Sequence, residues 1–159
     1  MRYYWDLIQH FFVSNSRHGT HSPFVYGLAS RVIYRIARVR PYTVAVPPDF
    51  NPKYTDLLLA ILTDMGVQKL ACFREDTSFD ALFADLRSAP ADQLLEAIRQ
   101  GKIIVVHEPF QTRQTKQLWR ELIQSPDVVV SINLFHFGLL MYREGQRKEN
   151  FLLRYPFWR

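Results

Sequence analysis

The sequence predicts an α/β protein built on an open sheet, parallel in its centre and antiparallel at its C-terminal end, with helices on both faces. Three observations carry that expectation. Lys102-Ile103-Ile104-Val105-Val106 is a continuous β-branched run, the pattern of a strand buried on both faces of a parallel sheet. Segments with helical spacing and recognisable caps alternate with such runs. Val128 to Leu134 and Phe137 to Tyr142 read as strands joined by too little chain for a crossover, so they pair as a hairpin.

Taken in order, residues 3–13 form a short helix whose apolar stripe is Tyr4, Leu7, Ile8 and Phe11. Tyr3, Trp5 and Phe12 lie off that stripe, which points to packing on two sides and to a second subunit; ordinary core packing is the plainer account. Ser14 to Ser22 is polar and loop-like. Ser22 then caps a helix over 23–39, with Pro23 at its first position and Pro41 beyond its end. Tyr42 to Val46 fits a short strand, and Pro47-Pro48-Asp49-Phe50 a loop. Asn51 and Pro52 open the next helix, Leu57, Leu58, Ile61 and Leu62 give it a buried face, and Gly66 stops it before a strand from Val67 to Phe73. Phe79, Leu82, Phe83 and Leu86 fall at i, i+3, i+4 and i+7, with Thr77 or Ser78 as cap. A helix over 77–88 is therefore expected, since a parallel crossover needs about a dozen residues and only about five separate Phe73 from Phe79. Further helices are expected over 90–100, between Pro90 and Gly101, and over 112–124, with Leu118, Trp119 and Leu122 inward. After a turn at Glu144 to Lys148, Asn150 to Tyr155 adds another antiparallel strand.

The composition fits one domain of ordinary size, 159 residues with 48% hydrophobic and 22% charged, residues 1–40 being a basic N-terminal helical extension. That extension holds six arginines against Asp6 and so accounts for the whole formal charge of +5. Arg31, Arg35 and Arg38 recur at i, i+4 and i+7 as an arginine stripe. Arg17, His18, His21 and Ser22 gather beside a helix N-terminus, which favours anions. Together these residues are the candidate anion or partner surface, with a solvated helix face and a capping loop as the plainer accounts. No nucleic-acid-binding motif accompanies them, so nucleic acid is not an expected partner. Cys72 is the only cysteine, which excludes an intramolecular disulfide and a Cys/His zinc site and suits a reducing cytoplasm. Neither an export signal nor the roughly 20 apolar residues of a membrane span is apparent, and no membrane association is expected. His107-Glu108 ends the strand 102–106, where open α/β sheets put their ligands. The pair suits a general base or half of a metal site if the backbone bends to bring both side chains together; hydrogen-bonded structural groups are the plainer account.

RHGTHSPFVYGLASRVIY (Arg17 to Tyr34) and KIIVVHEPFQTRQTKQLWRELIQSPDVVVSINLFHFGLLMYRE (Lys102 to Glu144) both resemble a bacterial group of class I S-adenosylmethionine-dependent methyltransferases marked by an N-terminal HG-x-HSPF segment. NPKYTDLLLAILTDMGVQKLACF (Asn51 to Phe73) is similar to the helix and first strand before that group's cofactor loop, and the resemblance spans about two thirds of the chain. It implies a reduced Rossmann-like domain. Trp119, Pro126, Phe135, Gly138 and Arg143 keep the family's scaffold positions. The chemical positions change. Where the family has the glycine-rich turn ELGTSLG, this chain reads Cys72-Phe73-Arg74-Glu75-Asp76-Thr77-Ser78, with Arg74 and Ser78 in place of both glycines. Glu75 and Asp76 are the residues a rearranged ribose contact would use. Between Ser88 and Lys102 there is room for one helix, where the family has several strands that hold adenine and ribose. The family's DDIHWS becomes His107-Glu108-Pro109-Phe110-Gln111-Thr112, and the aspartate of its IDLF strand becomes Asn133. The expectation is a methyltransferase-like protein with no cofactor and no metal, serving as a binding or assembly module and forming a homodimer through the N-terminal helix and the tail Tyr155-Pro156-Phe157-Trp158. An unidentified protein partner is the other possible occupant of such a module. The alternative is an active S-adenosylmethionine-dependent methyltransferase with a rebuilt or shared pocket at Glu75, Asp76, His107 and Glu108.

Overall fold

Apolar runs and capped helices assemble into one mixed sheet in the computed structural model, which describes residues 2–14, 22–34, 44–72 and 79–155. Among these residues the strands are β1 (Leu70–Cys72), β2 (Ala81–Asp85), β3 (Ile103–His107), β4 (Val130–Asn133), β5 (Phe137–Met141) and β6 (Glu149–Leu152), in the order β1-β2-β3-β5-β4-β6. β1, β2 and β3 run parallel, β5 runs against both β3 and β4, and β6 is parallel to β4.

Alternate residues of each strand face opposite sides, and both sides are covered. Ala81, Phe83, Val105, Ile132 and Leu139 pack with α2 (Pro23–Leu28) and α3 (Thr55–Asp64). Leu82, Ala84, Ile104, Val106 and Leu140 pack with α4 (Ala91–Arg99) and α5 (Arg113–Gln124). This two-sided burial is why β3 reads as an unbroken apolar run.

Local chemistry sets the helix ends as expected. Ser22 accepts from the Val25 N–H at 3.4 Å with Pro23 opening α2, which continues into a π-helical turn at Ala29–Ile33. Asn51 accepts from the Lys53 N–H at 3.0 Å and starts a 3-10 turn, Pro52–Tyr54, that leads into α3. Thr112 and Thr115 exchange side-chain to backbone hydrogen bonds at 3.0 and 3.1 Å, a capping box at the start of α5. Gly66, at φ 77°, follows the end of α3. Residues 35–39 of the expected second helix lie outside the described residues.

Four expectations are corrected. Val44 to Val46 has no strand pairing, and Tyr42 and Thr43 lie outside the described residues. The helix expected over 77–88 is instead strand β2 across Ala81–Asp85. A four-residue apolar run satisfies both periods, and the crossover argument assumed a strand of ordinary length. β1 spans only three residues and Leu70 pairs with Ala81, so the chain needs to return only about 7 Å at strand rise. The last strand is antiparallel to β5 as expected but does not pair with it. β5 already has β3 on one edge and β4 on the other, so β6 takes the free edge of β4 and runs parallel to it.

The fourth correction is α1 (Arg2–Val13). Its expected buried members Tyr4 and Ile8 are exposed, with Trp5 and Phe12 beside them, while Tyr3, Asp6 and His10 point inward. Polar groups anchor α1: Glu108 and His136 hold Tyr3, Lys116 pairs with Asp6, and Arg154 donates to the Ser14 carbonyl at 3.2 Å. The docked side mixes these polar groups with half-buried Leu7 and Phe11 of the expected stripe, while Tyr4, Trp5, Ile8 and Phe12 are left outward. Among the described residues no helix is long and apolar enough to cross a membrane.

Candidate functional site

The carboxyl ends of β2 and β3 and the turn between β4 and β5 meet at one end of the sheet, with α1 laid across it. Two residues there hold left-handed backbone without being glycine, Glu108 at φ 42° and Phe135 at φ 72°. Such conformations cost about 1–3 kcal/mol each and persist where the surroundings over-determine them. Phe135 is fully buried, stacked on Phe110 at 5.2 Å and met edge-on by Tyr3 and His10 at 5.1 and 5.4 Å. Its N–H donates to Asn133 Oδ1 at 2.8 Å. This is the structural use of Asn133.

The bend at Glu108 directs its carboxylate toward α1. Glu108 Oε2 accepts from the Tyr3 hydroxyl at 2.7 Å, and Oε1 lies 3.1 Å from His136 Nδ1. His136 Nδ1 is also 2.9 Å from the Tyr3 oxygen. With Tyr3 donating to the carboxylate, a proton on Nδ1 serves both oxygens. Tyr54 stacks on the His136 ring at 4.5 Å and 17°. Burial, and then Glu108, raises the Tyr3 hydroxyl well above the usual phenol range, so it remains a donor. Burial pushes Tyr54 up to about 12.

His107 is the last residue of β3. Its ring lies 5.6 Å from Phe50 and 5.7 Å from Phe83, and its Nε2 is buried with no hydrogen-bond partner among the described residues. Burial lowers its pKa and keeps it neutral. No hydrogen bond joins His107 to Glu108; both line an open depression of about 720 Å³ with Tyr3, Asn51 and Gln111. At the end of β2, Arg87 grips Asp85 and holds it below the usual carboxylate range.

The anion or partner surface expected from the sequence is represented by two described residues. Ser22 caps α2, accepts from Gln146 at 2.9 Å, and opens onto a groove of about 850 Å³ with Phe24, Arg143 and Arg147. Arg31 is exposed and bidentate to Asp64 at 2.8 and 3.1 Å, in keeping with a solvated helix face. Arg17, His18, His21, Arg35, Arg38, Glu75 and Asp76 lie outside the described residues. Among the described residues no group of three His, Cys, Asp or Glu side chains is placed to hold a metal.

Sequence reasoning missed Tyr3, His10, Tyr54 and His136. One signal was available. Phe135-His136 joins two strands in a loop where glycine or asparagine is usual, so its bulk marks a conformation imposed from elsewhere. His10, on the inward side of α1, is 6% exposed, with Nε2 unpartnered among the described residues. Its burial lowers its pKa to about 4, against the pull of the Asn133 backbone and side chain.

Comparison of the chain with protein-family models, curated proteins and solved structures found no match in any of the three.

Proposed function

We propose that the chain is a shortened class I methyltransferase-like domain that works as a non-catalytic binding or assembly module and self-associates. The observation that carries this reading is the engagement of the carboxylates at the strand ends. Asp85 is held by Arg87, and Glu108 by Tyr3 and His136. A methyl-transfer site needs a carboxylate for the ribose hydroxyls and a base within reach of the substrate proton. Here the acids already have internal partners, and His107 is packed against aromatic rings. That engagement of the described acids supports a domain that holds no adenosyl group.

Three further points support the reading. The described residues between β1 and β3 hold one strand and one helix, where the resemblance implies several strands around adenine and ribose. In the sequence from Arg74 to Ser78, which lies outside the described residues, Arg74 and Ser78 stand where the family has glycine, and Glu75 and Asp76 add charge between them. A parallel centre followed by an antiparallel β5, with helices on both faces, supports the reduced Rossmann-like reading that the resemblance implies. Cys72, the only cysteine of the sequence, suits a reducing cytoplasm.

Titration calorimetry with S-adenosylmethionine and with its demethylated product is the test. No binding heat is expected up to about 1 mM, an affinity limit near −4 kcal/mol; micromolar binding would overturn the reading. One observation favours the alternative of an active enzyme: the bend at Glu108 brings it and His107 to one depression of about 720 Å³. Methyl transfer that survives Glu108→Ala unchanged would remove that site from consideration.

A further inference from the structure

The outer face of α1 is the largest exposed apolar feature among the described residues. Tyr4, Trp5 and Phe12 are 69%, 72% and 76% exposed, and Ile8 between them is 46% exposed. Tyr4, Ile8 and Phe12 follow one another at i, i+4 and i+8, so they form a single ridge along the helix, and Trp5 flanks it. The opposite face is committed to the domain through Tyr3, Asp6 and His10.

We infer that this ridge is the interface with a second copy of the chain, two α1 helices packing antiparallel about a two-fold axis at Ile8. The inference rests on the self-association half of the reading above and is independent of whether an adenosyl group binds. Symmetry is its first support. About an axis at Ile8, Tyr4 of one copy opposes Phe12 of the other and Ile8 opposes itself, so the ridge is self-complementary.

Area is the second support. At about 200 Å² per aromatic side chain, the exposed rings with Ile8 present roughly 500 Å², at the top of the range for a monomer's largest patch. Burying that area on two copies removes roughly 1,000 Å², the floor for a specific interface. The expected affinity is correspondingly modest.

Charge separates this occupant from a lipid surface. A helix that lies on a membrane carries lysine or arginine on its polar face to meet headgroups. On α1 that face is turned into the protein, and Asp6 is already paired with Lys116. Arg2 is the only basic Lys or Arg side chain on the helix.

Sedimentation velocity on the full chain tests the proposal. A monomer–dimer equilibrium with a dissociation constant on the order of 10 µM is expected. Trp5→Glu with Phe12→Glu, two exposed positions, is expected to leave the circular dichroism unchanged and weaken association by at least about 30-fold. In a Cys72→Ser background, Ile8→Cys is expected to form an intermolecular disulfide at least about ten times faster than Gln9→Cys, because only the residue on the axis meets its own copy. A wild-type chain that stays monomeric at about 100 µM, ten times that dissociation constant, overturns the proposal. So does a dimer that persists in the double variant, or equal crosslinking at both positions. Binding to phosphatidylglycerol–phosphatidylcholine vesicles without self-association would assign the ridge to a membrane instead.

Discussion

Replacing Gly138 by alanine is expected to destabilise the protein by about 2 kcal/mol, although alanine is the better residue for a strand. Gly138 sits in β5, paired with Val106 on one side and Asn133 on the other. A Cβ there would lie 2.3 Å from Cη2 and 2.7 Å from Cζ3 of Trp119, and 3.2 Å from the Ile132 carbonyl oxygen. Carbon atoms in contact prefer about 3.5–4.0 Å, so the indole must retreat by more than about 1 Å. It has little room, being 2% exposed in the core beneath α5. Overpacking of this kind costs about 1–3 kcal/mol, and restricting the unfolded chain returns about 0.5–1 kcal/mol, which leaves the stated loss from the upper end of the range. For a chain of this length that is a fall in Tm of roughly 4–8 °C. Urea titration followed by circular dichroism measures it. Trp119→Phe removes the ring that the new methyl would strike, so the double variant should be more stable than the two single losses predict, by about 1–2 kcal/mol. A Gly138→Ala protein within about 0.5 kcal/mol of wild type, or strict additivity in the pair, would refute the close packing of Trp119 on β5.

Two further outcomes follow from the candidate site. His10 has a folded-state pKa of about 4, below the ordinary value near 6.5, so the unfolded chain takes up the proton first as pH falls; stability is full above about 6.5 and declines toward 4. Urea titrations should show a loss of about 2 kcal/mol between pH 6.5 and 5 from this group, with His107 adding in the same direction, and His10→Phe should flatten the slope; an unchanged slope in the variant would show that His10 is not the source. At Glu108, glycine and alanine both remove the carboxylate, but only glycine relieves the positive φ, so Glu108→Gly should be about 1 kcal/mol more stable than Glu108→Ala by thermal denaturation. Alanine as the more stable of the two would mean that the bend is absent.

The parts of the fold legible in the sequence were those decided by neighbouring residues. Ser22-Pro23 and Asn51-Pro52 announce helix starts because a cap acts within three positions of itself. Ile103 to Val106 announces a central strand because β-branched residues without polar alternation require cover on both faces. The misread parts were decided at a distance. Ala81 to Ala84 is apolar throughout and carries no period of its own, and its pairing with the short β1 settles it as a strand. The partner of β6 depends on which sheet edge is vacant, and residues 149–152 do not encode that. The orientation of α1 depends on the chemistry of the surface beneath it, assembled from Glu108, Lys116, His136 and Arg154. The site was half legible for the same reason. His107-Glu108 stood out at a strand end, whereas Tyr3 and His136 gained meaning only when the chain brought them to the same carboxylate.

The polar docking of α1 also bears on the order of events during synthesis. Tyr3 leaves the ribosome 105 residues ahead of Glu108 and 133 ahead of His136, and Ser14 leaves 140 ahead of Arg154. A helix joined through such distant partners must wait until the sheet has closed, since ring closure over that span is repaid only when the receiving surface exists. Through that interval its aromatic ridge has no fold to hide in. The nascent chain would then be most vulnerable to aggregation at this helix until the sheet has formed.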